Sequence, residues 1–107
     1  MTDYQLIYED KVGRLFLELH KGTPFIHCTI NKWSKDIYNY CIEVWSVVLD
    51  ELYKRGIDVI YASIDENDKK LIKCANMFGF EKINGEAVTF DGKIRKIYKV
   101  NIWDLQH

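Results

Sequence analysis

The chain has little of what would tie it to a special partner or compartment. Fifteen Lys and Arg residues stand against sixteen Asp and Glu, a net charge of -1 at pH 7. No overall field therefore draws it to nucleic acid or to an anionic membrane. No apolar run approaches the ~18 residues that span a bilayer, and the opening MTDYQLIYED is polar and acidic, without an apolar core of signal-peptide length. A cytoplasmic location, or a virion interior, is the expectation. Cysteine is sparse: Cys28, Cys41 and Cys74 are odd in number, widely spaced and without a Cys-x-x-Cys pair. That pattern argues against a disulfide framework and a structural zinc site, so the three read as reduced, buried small hydrophobes and no metal is expected. With one proline and no low-complexity run, no linker divides the chain.

What is present is apolar. Hydrophobic residues make up 48% of the chain and aromatic ones 14%, enough for a packed core. Since single cores occupy ~50 to 200 residues, residues 1–107 are expected to form one domain.

The periodicities give the elements. Tyr4 to Tyr8 and Arg14 to His20 favour strands, the second with Leu15, Leu17 and Leu19 on one face and Phe16, Glu18 and His20 on the other. After a turn at His20 to Pro24, Phe25 to Ile30 alternates again, completing an antiparallel meander. Ser34 is a good N-cap, and Ile37, Cys41, Val44, Val48 and Leu52 recur at helical spacing until Gly56 offers a left-handed stop. Tyr40, Trp45 and Leu49 widen that stripe, so this helix should lie on a sheet. The near-continuous apolar run Ile57 to Ile64 reads as a buried parallel strand after a crossover helix. Asp65, Asn67 or Asp68 can cap a second helix, buried at Leu71, Ala75 and Phe78 and further at Ile72 and Cys74, which Gly79 ends. Phe80 to Phe90, an Asp91-Gly92 turn and Lys93 to Trp103 close the chain as a hairpin with Tyr98, Val100 and Ile102 inward. The order β-β-β-α-β-α-β-β describes a mixed, mostly antiparallel sheet with two helices packed on it, in the α/β (α+β) class.

The segment Ile57 to Phe80, IDVIYASIDENDKKLIKCANMFGF, with its amide-rich turn, short helix and Gly-Phe, resembles the GNAT superfamily of N-acetyltransferases, and the resemblance runs from about Leu15 to Ile102 without the initial helices of a full-length member. It implies that acetyl-CoA would lie in a splayed opening between Phe25 to Ile30 and Ile57 to Ile64, its pyrophosphate on the N-terminus of the intervening helix, where free amides and the helix dipole converge. The family spells that turn Gln/Arg-x-x-Gly-x-Gly/Ala. Here it reads Asn31-Lys32-Trp33-Ser34-Lys35-Asp36, with no glycine, an indole in the path and an acid near the first turn. Lys32, Trp33, Ser34 and Lys35, with Asn67 at the second helix, are the candidate cofactor contacts. The family's general-acid tyrosine falls at Ala75, which has no proton to give. His27 and Glu18 are the candidate general bases, and His20 and His27 are placed to face one another across the hairpin. Cys74, mid-helix at core spacing, reads as packing.

Lys93, Arg95, Lys96 and Lys99 form the densest basic segment, which reads as a solvated or edge-protecting strand face, with no nucleic-acid partner expected. Exposed aromatic surface around Trp33 and Tyr38 points to a protein partner or to self-association. The lost phosphate turn and the Ile, Lys, Asn and Tyr-rich composition also resemble the small degenerate acetyltransferase-like proteins of short-tailed bacteriophages, including internal virion proteins. That resemblance implies a structural or protein-binding component. The alternative is an active N-acetyltransferase moving acetyl from acetyl-CoA to an amine.

Overall fold

The fold was described from a computed structural model, covering residues 3–88 and 94–102, with backbone alone for 3–4 and 86–88. Its elements run β1 (Asp3–Glu9), β2 (Gly13–His20), β3 (Thr23–Ile30), α1 (Lys35–Lys54), β4 (Val59–Asp65), α2 (Lys69–Met77), β5 (Glu81–Val88) and β6 (Ile94–Asn101). The expected order and the mostly antiparallel character both hold. The Asp91-Gly92 turn, Lys93, Phe90 and Trp103 lie outside the described residues.

Local chemistry sets the joints. Between β2 and β3, Lys21 and Gly22 both take positive φ, 53° and 82°. This is the conformation a two-residue hairpin needs to match strand twist. It draws Thr23 and Pro24 into β3, two residues earlier than the alternation from Phe25 indicates. Ser34 caps α1, its Oγ accepting the Ile37 amide at 3.2 Å. Both helices end in the same double-bonded wrap around a left-handed glycine. Gly56 (φ 87°) donates to the Tyr53 carbonyl while Ile57 donates to that of Leu52. Gly79 (φ 94°) and Phe80 do the same to Asn76 and Ala75. Because Ile57 is spent on closing α1, β4 starts at Val59, later than the apolar run suggests. Of the three candidate caps, Asp68 takes the α2 position, accepting from the Leu71 amide at 3.2 Å.

One six-stranded sheet results, in the order β1-β2-β3-β4-β6-β5. All described pairings are antiparallel except β3 with β4. The two right-handed crossovers place α1 and α2 on one face. Leu15, Leu17, Ile26, Ile60, Ala62, Ile64, Tyr98 and Val100 point to that face and form the core with Trp45, Val48, Leu49, Leu52 and Ala75 from the helices. Leu19 continues the Leu15 and Leu17 face yet is 45% exposed, because it sits at the hairpin end beyond the helical cover. Phe16, Glu18, Phe25, His27, Tyr61, Ser63, Arg95 and Ile97 occupy the opposite, open face.

Gly13 is the tightest point in this framework. A Cβ built there would lie 2.1 Å from the Thr29 carbonyl oxygen on the facing strand. Backbone cannot yield as a flexible side chain does, so Gly13→Ala is expected to cost about 1 to 3 kcal/mol by overpacking. Urea denaturation checks it: a variant as stable as the parent would contradict the packing of β2 on β3.

Candidate functional site

The site begins where a parallel ladder stops. The described pairing of β3 with β4 is Phe25 opposite Tyr61, their rings 5.7 Å apart. Beyond that rung the C-terminal halves of the two strands separate into a cleft of about 210 Å³. Its walls are Ile26 to Thr29, Ala62 to Ile64, and Trp45, Leu71, Ala75, Phe78 and Phe80 beneath them, with Arg95 from β6. The lining includes residues of both sheet faces, so the cleft reaches through the sheet.

Backbone alternation shows how the rim is built. The Glu66 amide donates to the Ile94 carbonyl and the Ile102 amide to that of Asp58, so even-numbered β4 residues bond β6. Tyr61, Ser63 and Asp65 therefore aim their N–H and C=O groups at β3. Arg95 reaches over β4 from the open face, and its Nη1 donates to the Ser63 carbonyl at 3.1 Å. The guanidinium thus stands at the cleft. On the opposite wall, His27 Nε2 lies 2.5 Å from Glu18 Oε1. His20 does not meet His27 across the hairpin as the spacing suggests: Glu18 stands between them, with His20 Nδ1 4.0 Å from its other oxygen. His27 pairs instead with Phe16 across the strands.

The residues placed at the phosphate turn gather elsewhere. Lys32 and Lys35 are exposed, Ser34 is occupied as a helix cap, and none of Lys32, Trp33, Ser34, Lys35 and Asn67 lines the cleft. Asn67 is exposed in the turn before α2, where its amide donates to Asp65 Oδ1 at 2.9 Å. Trp33 lies against Tyr38, centroids 4.9 Å apart. Tyr38 in turn donates to the Lys70 carbonyl on α2 at 3.4 Å, and Lys73 Nζ sits 5.2 Å from its ring. The first turns of the two helices are thus bracketed together by aromatic side chains. The turn before α1, with no glycine and with Trp33 packed on Tyr38, does not offer the close backbone approach that a pyrophosphate needs.

The cysteines are ruled out as nucleophiles. Burial pushes Cys28 and Cys74 up to about 12 and raises Cys41, so none supplies a thiolate at neutral pH. Among the described residues no group of three or more His, Cys, Asp and Glu could hold a metal.

One polar cluster escaped the sequence reading. Asp10, in the β1–β2 turn, accepts from Tyr8 at 2.9 Å, from Tyr40 on α1, and from the Val12 and Gly13 amides at 2.8 and 3.2 Å. It closes the end of a small apolar pocket beside Trp45 and Cys28. An Asp two and three residues before Val12 and Gly13 is an ordinary turn signal; its phenolic partners, one of them 30 residues away, leave no local trace.

The sequence matches no protein-family model and no curated protein. Solved structures do resemble the fold. A Vibrio cholerae spermidine N-acetyltransferase chimera aligns with a TM-score of 0.70 at 13% identity, over 99% of this chain and 73% of its own. A GNAT-family acetyltransferase from Bacillus anthracis gives 0.67 at 13%, over 86% and 59%. A Salmonella typhimurium protein assigned as an acetyltransferase and solved with its cofactor acetyl-CoA gives 0.67 at 14%, over 85% and 58%. The chain therefore spans between about three-fifths and three-quarters of these structures' lengths.

The Asp10 cluster makes a pH prediction. The Tyr40 hydrogen bond, with those of Tyr8 and the two amides, holds the Asp10 carboxyl below its ordinary value of 3.8. A depressed folded-state pKa contributes stability above the unfolded value that is lost as pH falls through the folded one. Denaturation midpoints should accordingly fall as pH drops below 3.8, and Asp10→Asn should lower the neutral-pH midpoint while shrinking that acid-side loss. An unchanged acid limb in the variant would remove Asp10 from the stability account. With these observations in place, the chain has the fold of the GNAT acetyltransferases.

Proposed function

We propose that this chain is a non-catalytic member of the acetyltransferase fold that serves as a structural or protein-binding component, of the kind found inside phage particles. The observation that carries the reading is the Trp33–Tyr38–Lys70 bracket over a phosphate turn without glycine. An anion there would meet side chains in place of a preorganised nest of amides. Ala75 at the general-acid position adds a second loss, since it has no proton for a departing thiolate. The open face supports a protein partner: Leu6 is 48% exposed, and Phe16, Phe25, Tyr61 and Ile97 are half-buried without a helix over them.

The alternative, an N-acetyltransferase acting on an amine, draws on the retained splay of β3 from β4 and on the His27–Glu18 pair at its wall. An imidazole oriented by a carboxylate is a competent proton acceptor.

Calorimetric titration with acetyl-CoA, with adenosine 3′,5′-bisphosphate as a phosphate-only control, separates the two. No saturable heat with millimolar ligand is expected. Low-micromolar binding that moves the resonances of residues 31–36 would overturn the proposal in favour of the enzyme.

A further inference from the structure

The two edges of the sheet differ in how they are protected. At one end β5 is blunted: Glu81 and Lys82 are exposed, and its ladder with β6 breaks before Glu86, where Gly85 takes φ 145°. At the other end β1 carries the run Tyr4-Gln5-Leu6-Ile7-Tyr8, without charge, proline or glycine. Its register with β2 is regular from Asp3 to Leu6, the bulge falling after that, and among the described residues no strand lies beyond it. The Asn31 amide donates to the Val12 carbonyl at 2.8 Å, so the even-numbered residues of β2 bond β3 and the odd-numbered ones bond β1. Gln5, opposite Leu17, is therefore spent on β2. Tyr4 and Leu6, opposite Glu18 and Phe16, turn their N–H and C=O groups outward.

Apolar side chains flank that edge on both faces. Leu6, 48% exposed, lies beside Phe16 on the open face. On the helix face a groove of about 170 Å³ separates Ile7 and Tyr8 of β1 from Val47, Leu52 and Arg55 of α1. Val47, 71% exposed, is the most exposed large hydrophobic residue described. Leu19, also exposed, stands opposite Asp3. Such an edge is a template for another strand.

From this arrangement we infer that β1 pairs antiparallel with β1 of a second copy, joining two six-stranded sheets into one. A two-fold axis at Gln5, perpendicular to the sheet, sets Leu6 of each copy against Tyr4 of the other and satisfies both sets of outward groups at once. α1 runs opposite to β1, since Tyr40 meets Tyr8 and Asp10 while the later Leu52 and Arg55 share the groove with Ile7. The axis therefore brings the last turns of the two α1 helices side by side. There Glu51 and Arg55, an acid and a base 3.5 Å apart, meet the same pair in reverse order. This self-complementarity selects a second copy over an unrelated strand. The contact lies outside the cleft, so it stands whether or not acetyl-CoA binds.

Sedimentation equilibrium from micromolar to millimolar protein, paired with NMR amide exchange, tests the pairing. A reversible dimer is expected, with exchange of the Leu6 amide slowing as the dimer fills. Leu6→Lys charges the edge and Val47→Glu charges the groove. Both sites are exposed, so the dilute variants should keep the parent's fold, and each should weaken the dimer by about tenfold or more. A protein that stays monomeric at millimolar concentration would overturn the inference. So would a dimer indifferent to both substitutions, or one whose Leu6 amide exchanges as fast as in the monomer.

Discussion

The sheet consists of two antiparallel halves, β1-β2-β3 and β4-β6-β5, and the described pairing that joins them is the rung from Phe25 to Tyr61. Strand pairing across such a seam contributes little cohesion, so side chains on the helix face must hold the halves together. Trp45 does much of this: it packs on Phe78 and Phe80, which follow from α2, and belongs to one core cluster with Leu15, Leu17 and Ile26 of the first half and Ile60, Ala62 and Ile64 of the second. Burying an aromatic of this size is worth ~3 to 5 kcal/mol on truncation, a large part of a total stability of ~5 to 15. The cleft is what remains on the other side of that arrangement.

The same constraint separates fold from chemistry. Helix stripes, capping residues and glycine stops serve the core, and all are intact here. The turn that would grip a pyrophosphate lies outside the core, on the far side of the α1 N-cap, where residues change without disturbing the packing. In this chain that space is taken by Trp33 and Tyr38, which tie α1 to α2 through Lys70. The fold therefore accommodates both an open cleft between β3 and β4 and an α1 N-terminal turn engaged in contacts between helices.

How much of this was legible in the sequence follows from how local each signal is. Ser34, Gly56 and Gly79 act within a few residues of themselves, and the helices begin and end where they indicate. The period-two alternation of β2 put Leu15, Leu17 and Leu19 on one face, and Leu15 and Leu17 of that face are buried while Leu19 is not. Strand starts were less certain, because Ile57 is apolar for closing α1 as well as for a strand, and Lys21-Gly22 makes a tighter turn than its neighbours suggest. The site depends on long-range placement. Glu18 and His27 were read as separate candidates and prove to be one pair, while His20 meets Glu18 instead of His27. Arg95 was one cation of a basic strand face until the register showed it reaching across β4 to Ser63. That reach leaves no mark in residue order.

The central claim is that the seam beyond Phe25 and Tyr61 is open in the folded protein and held by α1, not by strand pairing. Native-state amide hydrogen exchange along β4 tests it residue by residue. The account predicts alternation: Ala62 and Ile64, bonded to β6, exchange only with global unfolding, while Ser63, aimed at the gap, exchanges orders of magnitude faster through local access. Uniformly slow exchange from Tyr61 to Asp65 would mean a closed parallel ladder, and would contradict both the cleft and the role given to Trp45.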